Sequence, residues 1–417
     1  MNSDTTIVAT GEDQRENRPA DAPRPPRLAL ICDFLEEGWP SMDLYGDMLF
    51  RCFKAEHARA IEVQQVRPVL HPRLSRLPEW GSSGFLWNVD RFMNRFYDYP
   101  RWLRKRSANF DLFHLVDHSY AQLALHLPPE RTVIACHDLD TFRCLLEPEA
   151  EPRPRWFRAM AQRTLNGFRR ASHVICTSDA TREELLKHGL FPPERLTSVL
   201  PGVDPVFFSG DDMPTGQDLA QTLGAAGPGY LLHVGSTILR KRIDVLLRVF
   251  ARIAIQFPGV RLVRVGGAFT AEQLQMAKEL DVGGKIVHAP RLTTAQLAVV
   301  YRKAALVLQT SDAEGFGLPV IEAMACGCPV VASDIAPLRQ AGGSAAEYCP
   351  VADIEAWSAT VMRLLRERES ETEHWEVRRA NARRHASRFT WSETANQTLA
   401  VYQRVCKAGS EVTRRWA

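Results

Sequence analysis

The sequence predicts two doubly wound α/β domains, each a parallel sheet covered by helices on both faces. Three observations carry that prediction. Short apolar runs of strand length alternate with amphipathic helical runs, and the alternation starts twice. A stretch rich in Gly, Pro and Asp at 201–229 divides the two series. The chain has 417 residues, long enough for two or three domains of about 150 residues. Composition agrees: 45% hydrophobic and 24% charged residues exclude a largely disordered or fibrous chain.

Residues 1–26 hold five acidic and three basic residues and almost no aromatic or branched apolar ones. That composition predicts a disordered tail and lacks the apolar core of a signal peptide. An N-terminal domain follows over 27–205. Its strands are expected at 27–32 (RLALIC), 112–116, 132–136, 173–177 and 196–200, with helices at 44–53, 156–169 and 180–188. Residues 206–228 read as a linker carrying a short helical segment at 217–223. The second domain, 229–388, has expected strands at 230–234, 261–265, 285–288, 305–309 and 329–332. Between them lie helices at 243–257, from 271, at 294–303 and at 319–326. In the first of these, Ile243, Leu246, Leu247, Phe250 and Ile253 form one apolar stripe at helical period. Residues 389–417 form a closing helix and tail. Ligands of such sheets sit outside the carboxyl ends of the strands, so two domains facing each other make a cleft.

No run of 18 apolar residues occurs, so no transmembrane helix is expected. Nine cysteines without a C-x-x-C pair argue against zinc and for a reducing, cytoplasmic setting. Between residues 51 and 170 there are 20 Lys+Arg against 13 Asp+Glu, which suits either an anionic partner or a solvated helical face. Within that region, 91–106 interleaves Phe92, Phe96, Tyr97, Tyr99 and Trp102 with Arg91, Arg95, Arg101, Arg104, Lys105 and Arg106. It suits an anionic membrane surface, or a helix with its aromatic side turned inward. With no accompanying nucleic-acid motif, no nucleic-acid partner is expected.

The densest chemistry lies at 311–334, SDAEGFGLPVIEAMACGCPVVASD. Pro319 suits the first turn of a helix and Gly327 its stop. Gly315 and Gly317 let the preceding loop bring its amides close to a ligand, beside the positive end of the helix. Glu314 and Glu322 flank those amides. Carboxylates repel phosphate but accept hydrogen bonds from sugar hydroxyls. Upstream, HVGSTILRKR (233–242) places a glycine turn after a strand, then Arg240, Lys241 and Arg242. Arg by its planar fork and Lys by its point charge suit a diphosphate, although such residues are also common on plain solvated surface.

These residues resemble a family. The run EGFGLPVIE followed by AMACGCPVVASD is similar to the donor-site motif of retaining glycosyltransferases of family 4, which have the GT-B fold of two Rossmann-like domains. Gly235 with Arg240 and Lys241, Gly266–Gly267 and the PGVD of 201–204 also match. The segment FTWSETANQTLAVYQRV (389–405) resembles the closing helix that returns to the first domain. The resemblance implies Glu314 on donor hexose hydroxyls, Glu322 on the ribose, and the amides of Phe316, Gly317 and Leu318 facing hexose and diphosphate. Arg240 and Lys241 would neutralise the leaving diphosphate. Many members carry Arg after the glycine matching Gly235, where this chain has Ser236, so Arg240 or Arg242 would supply that charge. In the first domain the usual Gly-Gly loop has the single Gly38, and His118 and His137 are candidates for the histidine near the reacting sugar.

The reaction so implied is metal-independent hexosyl transfer from a nucleotide sugar, GDP-mannose first and UDP-hexoses second. No cofactor is expected beyond that substrate. The acceptor would be a saccharide or polyprenyl- or other lipid-linked saccharide at the cytoplasmic face of the inner membrane, in polysaccharide or lipopolysaccharide assembly. Rival classes are a glycoside hydrolase using Glu314 and Glu322, a non-catalytic nucleotide-binding GT-B protein, and a nucleotide-sugar epimerase.

Overall fold

A computed structural model describes residues 24–76, 84–210, 217–227, 229–289 and 292–415. The tail expected at 1–26 thus lies, up to residue 23, outside the described residues. The chain divides into two compact units. The first comprises residues up to 176, with 185–197 and 395–417; the second comprises 177–184 and 198–394.

The first unit is built on strands β1 (Arg27–Ile31), β2 (Glu62–Val66), β3 (Leu112–Leu115), β4 (Thr132–Cys136), β5 (His173–Cys176) and β6 (Leu196–Ser198), in the order β2-β1-β3-β4-β5-β6. β3, β4 and β5 are buried at every residue, as expected of central strands in a parallel sheet covered on both faces. The sequence pattern missed β2, whose EVQQV alternates exposed and half-buried positions at the sheet edge. The helix expected at 44–53 runs over Pro40–Glu56, because Pro40 opens it where its missing N–H costs nothing. The closing helix, Trp391–Arg415, belongs to this unit from Ala395 onward. Its Tyr402 is buried against Phe53 and bonds His114 Nδ1 through its hydroxyl at 2.6 Å.

The second unit carries β7 (Leu231–Val234), β8 (Leu262–Val265), β9 (Ile286–Ala289), β10 (Leu306–Gln309), β11 (Val330–Ser333) and β12 (Glu347–Cys349), in the order β12-β11-β10-β7-β8-β9. Helix Ile243–Gln256 buries the whole predicted stripe and packs in one cluster with Trp357, Val361 and Leu364 of helix Ile354–Ser370. The stretch 206–228 is not a loose connector in its described part. Phe207, Leu219, Leu223 and Ala226 are buried in the same cluster as Tyr301 and Val320, and the main segment of the second unit runs from 198 to 394. The surrounding Gly, Pro and Asp hid those widely spaced apolar residues from a composition argument.

Each sheet has one place where connections leave in opposite directions, the usual seat of a ligand in this class. In the first unit it falls between the neighbours β1 and β3, in the second between β7 and β10.

Candidate functional site

In the second unit the turn after β7 and the loop after β10 are tied together by backbone. Asp312 N donates to Arg240 O (2.9 Å), and Thr310 Oγ1 donates to Lys241 O (3.0 Å). These bonds bring Arg240 and Lys241 onto Glu314. Lys241 Nζ donates to Glu314 Oε1 at 2.6 Å, and Arg240 Nη1 to Oε2 at 3.0 Å. Gln309 Nε2 (2.6 Å) and Ser311 Oγ (2.7 Å) also donate to Oε1. Burial alone would raise the Glu314 pKa. The Lys241 and Arg240 charges, with the Lys241 and Ser311 hydrogen bonds, outweigh it and hold the value at about 2.

Helix Leu318–Ala325 starts directly after this loop, with Gly317 as its N-cap at φ 113°. The left-handed backbone there favours glycine, and a Cβ would lie 2.7 Å from Leu338 Cδ2, so the Leu338 side chain would have to shift. Gly327, at φ 71°, follows the helix. Glu322 sits on the buried side of the helix and accepts from Tyr301 Oη at 3.0 Å. Burial pushes its pKa up to about 7, opposed by the Tyr301 bond and assisted by the charge of Asp204. Two carboxylates eight residues apart are thus shifted in opposite directions.

In the first unit the carboxyl ends of β1, β3 and β4 gather acids and histidines. Asp33 follows β1, fully buried, with neither carboxylate oxygen hydrogen-bonded among the described residues. Burial and the neighbouring Asp117 hold its pKa well above the carboxylate range. Asp117 stays ionised although burial opposes it, because His118, His137 and the Ser119 hydroxyl and amide favour its charge. His118 Nδ1 lies 3.3 Å from Asp117 Oδ1, and its Nε2 lies 3.6 Å from Asp138 Oδ1. His137 donates its backbone N–H to His118 Nδ1 (3.4 Å), and its own Nε2 bonds Val116 O at 2.7 Å. Burial lowers the His137 pKa, with Asp117 resisting. Gly38 turns the loop after β1 through a left-handed conformation (φ 68°). The preceding Glu37 is clamped by Arg91 at 3.0 Å and Arg95 at 3.7 Å.

Both halves of the chain match known protein families. A sequence profile described as "Glycosyltransferase Family 4" matches residues 49–207, and one described as "Glycosyl transferases group 1" matches 217–384. The chain belongs to glycosyltransferase family 4. It is 26% identical to the O-antigen chain mannosyltransferase B of Escherichia coli, over 73% of this chain and 78% of that protein. It is 31% identical to the D-inositol 3-phosphate glycosyltransferase of Mycolicibacterium smegmatis, over 56% of this chain and 53% of that protein. The match thus spans about half the length of that second relative. Among solved structures, sucrose-phosphate synthase from Thermosynechococcus elongatus superposes with a TM-score of 0.70 at 21% identity, covering 92% of this chain and all of that one. Anabaena HepE in complex with UDP-glucose gives 0.64 at 18% identity, covering 91% and 99%. These likenesses establish the GT-B fold.

Within this family 4 glycosyltransferase, the structure resolves which arginine joins Lys241. Arg240 faces Glu314, whereas Arg242 is bound to Asp244 at 2.9 and 3.0 Å. Arg242 itself caps the next helix at φ 48°. The Phe316 side chain is in the core, its ring 5.7 Å from Phe389, so only its backbone is available to a ligand. Sequence reasoning missed Gln309, Ser311 and Tyr301 around the glutamates, and Asp33 and Asp117 in the first unit. Ser311 was visible, three residues ahead of Glu314. The others become partners only through the sheets. The hydrolase reading loses ground here, because Glu314 is engaged by two cations rather than poised as acid or nucleophile.

Proposed function

We propose that this protein transfers a hexose, mannose first, from a nucleotide sugar to a saccharide or lipid-linked acceptor in surface polysaccharide or lipopolysaccharide assembly. Transfer retains the anomeric configuration and uses no metal. The carrying observation is the convergence of Arg240 and Lys241 on Glu314 beside the amino end of helix Leu318–Ala325. Two cations and a helix terminus stabilise the charge that develops on a departing diphosphate, the work a metal does elsewhere. Ser236 and the amides of Phe316, Gly317 and Leu318 line the donor, Glu314 binds hexose hydroxyls and Glu322 the ribose. The bond from the anomeric carbon to the diphosphate oxygen breaks as the acceptor oxygen bonds the same face. The leaving diphosphate oxygen takes the acceptor proton.

The E. coli relative is named for mannose and O-antigen, which supports GDP-mannose and a surface-polysaccharide acceptor. The HepE complex with UDP-glucose supports a UDP-hexose as the second donor. Acceptor handling falls to the first unit, with Gly38, His118 and His137 near the reacting sugar. No helix among the described residues is long and apolar enough to cross a membrane. The exposed Phe92, Met93 and Tyr97, beside exposed Arg101, Arg104 and Lys105, support peripheral attachment to an anionic inner-membrane face.

The test is calorimetric titration with GDP and UDP without metal, then product analysis with GDP-mannose and UDP-glucose, with and without acceptor. Binding of one nucleotide and acceptor-dependent release of it support transfer. Sugar conversion without acceptor indicates epimerisation. Binding without any product indicates a non-catalytic protein. Failure to sediment with anionic vesicles at low salt removes the membrane part alone.

A further inference from the structure

Arg264 is a large cation in an unlikely place. It lies inside β8, fully buried, with His233 of β7 and His288 of β9 as its register neighbours. Among the described residues it makes no ion pair with a carboxylate. Its guanidinium instead donates to three backbone carbonyls: Nη1 to Gly235 O (2.6 Å) and Val265 O (2.7 Å), and Nη2 to Ser236 O (3.0 Å). The Phe269 ring covers it at 5.8 Å. A valine or isoleucine would fill such a strand position without the cost of burying an uncompensated charge. Burial lowers its pKa only to about 10, so it remains a cation at neutral pH.

Two of the three carbonyls it gathers, those of Gly235 and Ser236, belong to the turn that carries the donor-site residues. The described chain has no cis peptide. In a planar trans peptide the carbonyl and the following N–H point opposite ways. Drawing the Gly235 and Ser236 oxygens inward therefore turns the Ser236 and Thr237 amides away from Arg264. The arrangement needs close backbone approach: a Cβ on Gly266, at φ 127°, would lie 2.0 Å from Gly235 O. Lys241 packs its aliphatic stem against the same turn, its Cε 3.6 Å from where a Gly235 Cβ would be. His233, beside them, is buried with both ring nitrogens unpaired among the described residues. Burial, then the charges of Arg264 and Lys241, keep it neutral. Glu314 takes up one of the charges of Arg240 and Lys241, Arg242 is held by Asp244 with Asp312 4.0 Å away, and no carboxylate pairs with Arg264 among the described residues. The buried Arg264 thus adds an uncompensated positive charge beneath the turn, which suits the negative charge of a nucleotide-sugar diphosphate.

We propose that Arg264 is a positioning residue for the donor diphosphate, turning the Ser236 and Thr237 amides toward it and supplying a buried positive charge that no carboxylate cancels. This rests on the donor-site reading above. The experiment is calorimetry on wild type, Arg264→Gln and Arg264→Lys with three ligands of the preferred base: the uncharged nucleoside, its monophosphate and its diphosphate. Arg264→Gln should weaken the diphosphate roughly tenfold or more and leave the nucleoside within about twofold, with the monophosphate between. Arg264→Lys, which keeps the charge, should recover most of the diphosphate affinity. Equal losses for all three ligands, or an undiminished diphosphate affinity, would overturn the proposal. Should Arg264→Gln not fold, Arg264→Lys decides: a diphosphate affinity close to wild type supports the role, and equal loss of nucleoside and diphosphate overturns it. Wild type binding neither GDP nor UDP is a different result, which removes the donor-site reading itself.

Discussion

The two sheets share an architecture and differ in the charge they assemble at the point where their connections diverge. Between β1 and β3 the first unit collects Asp33, Asp117 and His118, with Asp138 and His137 from the end of β4. Between β7 and β10 the second unit brings Arg240 and Lys241 onto Glu314, with Arg264 buried in the neighbouring β8 and bonded to the carbonyls of Gly235 and Ser236. One site suits hydroxyl groups and proton positions, the other suits phosphate. A doubly wound sheet therefore fixes where a ligand sits but leaves its chemistry to a few residues at the strand ends.

The comparison breaks most sharply on the cations. Arg240→Ala/Lys241→Ala should weaken the preferred nucleoside diphosphate by about a hundredfold or more, from two lost charge-assisted contacts, read by calorimetry. An unchanged affinity would mean that the second unit does not hold phosphate. Glu314→Gln should lower kcat by roughly a hundredfold while nucleotide affinity stays within a few-fold, because Arg240 and Lys241 remain in place for the phosphates. A parallel collapse of nucleotide binding would recast Glu314 as a purely structural clamp. In the first unit, Asp117→Asn should cut kcat/KM for the acceptor by about tenfold, since His118 and His137 lose their anionic neighbour, with nucleotide affinity untouched. An effect on nucleotide binding there would erase the proposed division of labour.

A pH experiment sharpens the contrast within the second unit. Glu322 has its folded pKa raised to about 7 from an ordinary 4.5, so its contribution to stability is complete below about 4.5 and lost as pH rises through 7. Glu314, lowered to about 2, contributes above 4.5 and loses that contribution as pH falls through 2. Between pH 5 and 8, wild type should therefore lose up to roughly 3 kcal/mol relative to Glu322→Gln in chemical denaturation. Parallel profiles for the two proteins would refute the assignment. The smallest effect belongs to Tyr301→Phe. It removes one hydrogen bond to Glu322 and should cost about 1 kcal/mol of stability, read from the shift of the urea midpoint.

Much of this was legible along the chain. Strand and helix alternation marks nearly every central strand, because burial on both faces demands continuous apolar runs at β3, β4 and β5. Edge strands such as β2 escape that rule, since half their side chains face water. The 311–334 motif was readable because its glycines, proline and glutamates act within a single loop and helix turn. The 206–228 stretch was misread because Phe207 and Leu223 find their partners in Tyr301 and Val320, far along the sequence.

What the sequence alone determined is therefore local: the two alternating series, the Gly317 turn into its helix, and the pairing of glutamates with a basic run. The tertiary structure alone decided that Arg240 rather than Arg242 meets Glu314, and that Arg264 lies under the Gly235 turn. It also sends Glu314 and Glu322 to opposite ends of the carboxylate range. The reason is physical. Residue type and spacing set which groups a turn can present, whereas charge state and partner choice depend on burial and on neighbours that only the folded sheet brings within a few ångströms.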